Sequence, residues 1–334
     1  MRQLTIGAND AGQRADKFLT KALIGLPLSL LYKFLRTKKI KLNGKRCEIS
    51  TRLCEGDVFT LYIPDEFFPP EESKECEKYA HPKFNLSPDE IVYEDEHILI
   101  MDKKAGVTVH PNTKDEEKSD GNEIYLVDQM LGYLYKSGAY RPENENSFTP
   151  ALCNRLDRNT AGLIIGAKSA EALRVMNQKI KDRELQKLYY CEVEGTFEQK
   201  SATLRDFLYK NKSENRVYIF KSKKEAHKKL PIRYDDDIKT VITKYEVKGE
   251  KDGRSLLSVD LITGRTHQIR AHLAYYGHPL VGDGKYGKAK RDAWQNLYSY
   301  SITFRFTTDA GALMYLDGKT FEGKAPPFMK KYGY

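Results

Sequence analysis

The chain has 334 residues, 40% of them apolar, which is enough for a buried core in one large and one small domain. Its net charge of +9 is unevenly spread: residues 1–64 carry twelve Lys/Arg against five Asp/Glu, residues 65–90 carry three against eight, and the rest adds a surplus of seven, so a polyanionic partner explains the pattern better than an evenly solvated surface. Five cysteines (Cys47, Cys54, Cys76, Cys153, Cys191) lack the two-residue spacing of a zinc site and are odd in number for a disulfide framework, and no apolar run approaches a membrane span, so a soluble cytoplasmic protein with reduced thiols is expected.

In chain order, residues 13–24 repeat apolar positions at helical spacing. Pro27 and Ser29 open a second helix through Leu30, Leu31, Phe34 and Leu35. Residues 38–45 alternate charged and apolar side chains into Asn43-Gly44, a strong hairpin signal, and a strand over 58–63 follows the Gly56-Asp57 turn. Arg14, Lys17, Lys33, Arg36, Lys38 and Lys39 lie at the edges of these elements and form a candidate phosphate-gripping surface. Residues 65–90, rich in Pro, Glu and Lys, read as an acidic linker between a domain of residues 1–64 and one of residues 91–334. Two apolar strands around an acidic turn follow over 91–101, with another turn at 103–106. Residues 112–122 are expected to be mobile, 124–135 to form an amphipathic helix and 141–149 a loop. Beyond them come a buried strand at Leu163-Ile164-Ile165, a helix over 170–181 and a strand over 187–195. Segments 301–306 and 314–316 are expected to close the sheet. The strands lack a βαβ rhythm, which predicts an α+β fold on a mainly antiparallel mixed sheet, preceded by a small α+β domain.

Two segments carry chemistry. In Asn154-Arg155-Leu156-Asp157-Arg158-Asn159-Thr160-Ala161-Gly162, an acid stands between two arginines ahead of the buried strand. Nearby positive charge favours the ionised form of a carboxylate, and the strand offers a rigid mount. About a hundred residues on, Thr263-Gly264-Arg265-Thr266-His267-Gln268-Ile269-Arg270-Ala271-His272 is followed by Gly277-His278-Pro279-Leu280 and Gly282-Asp283. Together these segments resemble the two signature motifs of the RluA-like family of RNA pseudouridine synthases, over roughly residues 90–330. Three positions depart from the family pattern: Asn154 stands for His, Ala161 for Ser, and Lys104 for the Pro of Lys-Pro-Ala-Gly. Residues 1–64 resemble the RNA-binding module named for ribosomal protein S-four.

The resemblance implies that specific uridines in RNA, with large ribosomal RNA the first candidate and tRNA the other, are isomerised to pseudouridine on a flipped-out nucleotide. It makes Asp157 the essential acid, as nucleophile or as base. Arg265 is expected to hold Asp157 ionised and oriented through a two-pronged guanidinium contact, a phosphate or structural role being the alternative. Tyr189, in the Lys-any-Tyr strand motif, is expected to face the target base. Arg155 is implied to fill the gap left by the flipped nucleotide, and Lys187, Arg270 and Arg158 could bind phosphate or pair with acids. His267 and His272 suggest structural hydrogen bonding rather than a metal. No metal and no cofactor is expected, because substrate and product are isomers and neither a Gly-rich dinucleotide loop nor a P-loop is present. RNA is the expected partner, with no membrane and no obligate protein partner, and a monomer as the working state. The competing reading is a non-catalytic RNA-binding or ribosome-assembly factor on the same fold, prompted by the three departures.

Overall fold

The computed structural model describes residues 1–68, 78–111, 123–289 and 294–334. The stretch expected to be mobile, 112–122, lies outside the described residues. The first 68 residues build a four-stranded antiparallel sheet in the order β1-β4-β2-β3, from β1 (Arg2–Thr5), β2 (Ile40–Leu42), β3 (Lys45–Arg46) and β4 (Val58–Leu61). Asn43 and Gly44 both take positive φ, 50° and 74°, as a tight hairpin turn between β2 and β3 requires. Helices α1 (Ala15–Ala22) and α2 (Leu28–Arg36) cover this sheet. α2 turns Leu31, Phe34 and Leu35 into the core and leaves Lys33 and Arg36 in water, so its charge pattern follows from its amphipathic period. Each such apolar side chain stabilises the packing by about 1.5–3 kcal/mol. Phe67 and Phe68 join the same core.

The body is an α+β fold on a large mixed, mostly antiparallel sheet. Its strands are β5 (Ile91–Glu94), β6 (Ile98–Lys103), β7 (Ala151–Leu152), β8 (Ala161–Ala167), β9 (Leu185–Glu194), β10 (Ser201–Asn211), β11 (Arg216–Phe220), β12 (Ile238–Lys251), β13 (Arg254–Leu261), β14 (Leu297–Phe304) and β15 (Thr320–Glu322). The order is β11-β10-β12-β13-β9-β14-β8-β6-β5, with β15 beside β14 and β7 beside β8. β14 and β8 run parallel; among the described residues the other pairings of named strands are antiparallel. Their approach is close: a Cβ at Gly162 would lie 2.3 Å from the Ser299 carbonyl oxygen, and φ there is 113°, so glycine is required. Helices α3 (Leu126–Ser137), α4 (Ala170–Lys181), α5 (Lys223–Lys229) and α6 (Gln268–Tyr275) complete the named elements used below. Among the described residues no helix is long and apolar enough to cross a membrane.

Two segments show detail that the sequence did not. Within residues 65–90, the stretch 78–90 packs against the body: Tyr79, Phe84 and Leu86 are buried, Lys78 pairs with Asp128 at 2.7 Å, and Ser87 and Glu90 close a capping box. Acidic and Pro-rich composition hid three apolar anchors whose contacts lie far away in sequence. Residues 314–316 do not form a strand; they end a 3₁₀ turn (Gly311–Leu316), and β15 is the segment that pairs with β14.

One buried charge organises the loops at the end of β6, next to the edge strand β5. Lys103 is 1% exposed at the end of β6, and its Nζ donates to the carbonyls of Lys104, Val107 and Arg158, each at 2.9 Å. Three carbonyls match the three N–H donors of an ammonium. Burial pushes its pKa down to about 7, against the opposing pull of the Asp157 charge. Lys103→Met keeps the stem but leaves the three carbonyls without this donor, so a loss of about 2–4 kcal/mol is expected by chemical denaturation. A change below about 0.5 kcal/mol would mean that water replaces the ammonium without cost.

Candidate active site

Asp157 sits in the turn between β7 and β8. Leu156, 7% exposed, anchors that turn in the core and so presents its neighbours Arg155 and Asp157 outward. The turn closes on itself through Thr160 N–H to the Asp157 carbonyl at 3.0 Å, and Gln295 Nε2 donates to Thr160 Oγ1 at 3.0 Å. Asn154 bridges to β8, accepting from Ile165 N–H at 2.8 Å. This departure from the expected histidine therefore ties the turn to the backbone of β8 while its residue also lines the cleft. Lys104, the second departure, points outward to Glu90 at 3.2 Å. Nothing in the structure explains why Ala161 rather than serine occupies its place.

The guanidinium on Asp157 belongs to Arg270, not to Arg265. Arg270 Nη1 donates to Asp157 Oδ2 at 2.9 Å, while Nε and Nη2 donate to Asp283 Oδ2 and Oδ1 at 2.7 and 3.1 Å. Asp283 has no exposed side-chain surface and also accepts from the backbone N–H groups of Lys285 and Tyr286 at 2.8 and 3.1 Å. Burial works against its charge, but the bonds from Arg270 outweigh it and hold the Asp283 carboxyl below the usual carboxylate range. For Arg270, burial likewise opposes the charge, and the two carboxylates more than offset it, raising its pKa. One buried cation is thus oriented by a fully buried acid and extends its remaining arm to an acid that is 25% exposed.

Arg265 is exposed on the rim of the cleft because its loop is held from behind by Gln268. Gln268 Oε1 accepts from Thr263 Oγ1 at 2.9 Å and from Arg265 N–H at 3.0 Å, and Nε2 donates to Ile242 O and Thr243 Oγ1 at 3.1 and 3.0 Å. All four valences of the amide are used, which fixes the loop that carries Arg265. His267, with φ of 52°, then starts α6 and brings Arg270 to the position expected for Arg265.

The cleft holds about 570 Å³ and is lined from three directions by the Asp157 turn, the Lys187–Tyr189 stretch of β9, and the loop from Leu261 into α6. Tyr189 is 7% exposed; burial pushes its pKa up to about 12, with the Asp157 charge adding to the effect, so its hydroxyl keeps its proton. Burial pushes Lys187 down to about 8 and Cys153 up to about 12, which leaves the thiol protonated and unsuited to attack. Lys181 and Arg183, exposed at the end of α4, also line the cleft and escaped the sequence reading. Their one signal was a basic helix end just ahead of the Lys-any-Tyr strand.

Of the two histidines in the second motif, His272 is structural. Its Nδ1 lies 2.9 Å from Thr243 Oγ1 and its Nε2 lies 3.0 Å from Asp206 Oδ2, with no exposed side-chain surface on His272 or Asp206. His267 is closer to the chemistry, with Nε2 3.8 Å from Asp157 Oδ2. Burial lowers its pKa to about 4. In the first 64 residues, Lys17, Lys33, Arg36, Lys38 and Lys39 are exposed. Arg14 differs, since its guanidinium already pairs twice with Asp16, at 3.0 and 2.8 Å.

Comparison with known proteins agrees with this geometry. The family model described as RNA pseudouridylate synthase matches residues 97–275, a span that holds Asp157, Tyr189, Arg265 and Arg270. The chain is 30% identical over 312 residues to ribosomal large subunit pseudouridine synthase C of Salmonella typhi, covering 91% of this chain and 88% of that protein. To the protein of the same name in Escherichia coli K12 it is 29% identical over 329 residues, covering 96% and 93%. Its fold is similar to that of human RNA Pseudouridylate Synthase Domain Containing 1, with a TM-score of 0.51, 21% identity and coverage of 74% of this chain and 89% of the human one. A cleft built on an arginine-paired aspartate therefore lies inside a segment that matches one enzyme family along more than half of the chain, and the protein belongs to the RNA pseudouridine synthases.

Proposed function

We propose that this enzyme converts uridines of large-subunit ribosomal RNA to pseudouridine, in the cytoplasm and as a monomer, on a nucleotide flipped into the cleft around Asp157. The observation that carries this reading is the Arg270 bridge: its Nη1 bonds Asp157 at Oδ2, which leaves Oδ1 for the sugar side of the glycosidic bond. In the reaction the bond from C1′ to N1 breaks, the base turns, and a bond from C1′ to C5 forms. The C5 proton is lost and N1 gains one, so atoms and electrons balance without an outside reagent. The ionised carboxylate acts at the sugar, and Tyr189 offers a face and a hydroxyl to the turning base. Arg155, Lys187 and Arg265 meet the phosphates and the emptied stack. The names of the curated relatives support the ribosomal target.

Tyr189→Phe is expected to keep most of the RNA affinity and lose rate, whereas Tyr189→Leu loses both. Base–aromatic stacking is worth about 1–3 kcal/mol per base. Equal affinities for the two variants, by filter binding, would remove the stacking role.

Residues 1–64 act in this reading as a separate RNA-binding domain of the S-four type, joined through residues 65–90 to a catalytic domain of residues 91–334. Their own core and the exposed Lys17, Lys33, Arg36, Lys38 and Lys39 support it. Replacing Lys33, Arg36, Lys38 and Lys39 together with Gln should reduce the salt dependence of RNA binding, each lost phosphate contact lowering the log–log slope by about 0.7–0.9. An unchanged slope would assign these cations to solubility alone.

Mapping pseudouridines in RNA from cells with and without this protein tests the target. Sites lost from large-subunit ribosomal RNA support the proposal, sites lost only from tRNA move the substrate, and no lost site overturns it.

A further inference from the structure

The reaction above gives His267 no role, yet two hydrogen bonds lead from the edge strand β11 to its ring, whose other nitrogen faces the acid. Tyr286 Oη accepts from Val217 N–H at 2.9 Å and lies 2.9 Å from His267 Nδ1. A phenol has a single proton to give, and with one lone pair taken by Val217 the remaining contact is to Nδ1. If Nδ1 carried hydrogen, the phenolic proton would have no partner in this chain of contacts, and a bare Nε2 lone pair would face a carboxylate. Both considerations put the hydroxyl proton toward Nδ1 and the imidazole proton on Nε2, 3.8 Å from Asp157 Oδ2. The guanidinium groups of Arg216 and Arg270 lie 5.1 and 5.3 Å from the centre of the Tyr286 ring and help to hold the hydroxyl that selects the tautomer. Burial disfavours a charged ring most, and the cations of Arg270 and Lys285 add to it against the opposing pull of the Asp157 and Asp283 carboxylates. His267 itself takes a left-handed backbone, φ 52°, at the N-cap of α6.

We propose that His267 is a positioning residue for Asp157: a neutral imidazole, set in one tautomer by Tyr286, whose Nε2–H fixes the Oδ2 edge of the carboxylate beside Arg270 and presents Oδ1 to the nucleotide. The separation in the free enzyme is longer than a hydrogen bond and closes when substrate fills the cleft, as catalytic contacts commonly do. The proposal rests on Asp157 being the reactive acid.

Two measurements test it. In the native protein, long-range nitrogen–proton NMR of the imidazoles, with the His267 signals identified by their loss in His267→Gln, should show an unprotonated Nδ1 and a protonated Nε2 at neutral pH. Tyr286→Phe should turn that single tautomer into a mixture. A proton on Nδ1 in the native enzyme, or a tautomer indifferent to Tyr286→Phe, overturns the proposal whatever the variants do to activity. In kinetics with an RNA that the native enzyme modifies, His267→Phe should lower kcat by about 10–100-fold with KM within about twofold, as loss of an interaction made at the reacting group should. His267→Gln, which can still offer an N–H, should recover at least part of that loss. A His267→Phe enzyme with native kcat rejects the positioning role. If instead Asp157→Asn retains turnover, the assignment of the acid has failed, and that outcome is read separately from the tautomer.

Discussion

Asp157→Asn is expected to stop pseudouridine formation, lowering turnover on the order of a thousandfold or more, while RNA affinity stays within about twofold. Asparagine keeps the size of the side chain and an oxygen for Arg270, but it removes the charge that the proposed reaction places at the sugar. The fold should tolerate the change, because Arg270 retains both bonds to Asp283, at 2.7 and 3.1 Å. Turnover and affinity measured on the same preparation separate the two effects. Residual activity above a few per cent of native would take the reaction away from Asp157.

Changes at Arg270 should be more damaging to the protein as a whole. Arg270→Met strands Asp283, whose side chain has no exposed surface, as an unpaired buried charge. Breaking a buried pair from one side typically costs about 3–5 kcal/mol, so a clear fall in the denaturant midpoint is expected. Arg270→Lys keeps the charge, but a single ammonium cannot span two carboxylates in the planar fork that Arg270 uses. Turnover should therefore fall by about a hundredfold with KM little changed, since the acid loses its orientation and not its access to RNA. Arg265→Lys is the comparison that matters: on the exposed rim it should alter affinity and salt dependence and leave kcat near native. If Arg265→Lys cost more turnover than Arg270→Lys, the bridge would not be what holds the acid.

The family was legible because Arg155-Leu156-Asp157-Arg158 and the second motif are long and ordered; a helical period marked α4, and Asn43-Gly44 marked the hairpin turn. The choice between Arg265 and Arg270 was not legible. It turns on one left-handed residue, His267, and on the loop bonds of Gln268, which decide which of two arginines five positions apart faces the acid. Asp283 stood inside the motif, but its burial is a property of the fold around it. Lys103 could have been noticed as a charge at the inward end of an apolar strand, since β6 buries its first four side chains and its last. Tyr79, Phe84 and Leu86 were masked by the charged residues around them, because burial against distant elements leaves no local period to read.

The most direct measurement incubates an unmodified transcript of large-subunit ribosomal RNA with the purified native chain or with Asp157→Asn, and maps pseudouridine by chemistry that marks it at single-nucleotide resolution. The native chain should form pseudouridine at a small number of discrete uridines, and the variant at none. No pseudouridine with the native chain would contradict the ribosomal target, and equal formation by the two chains would contradict catalysis by Asp157.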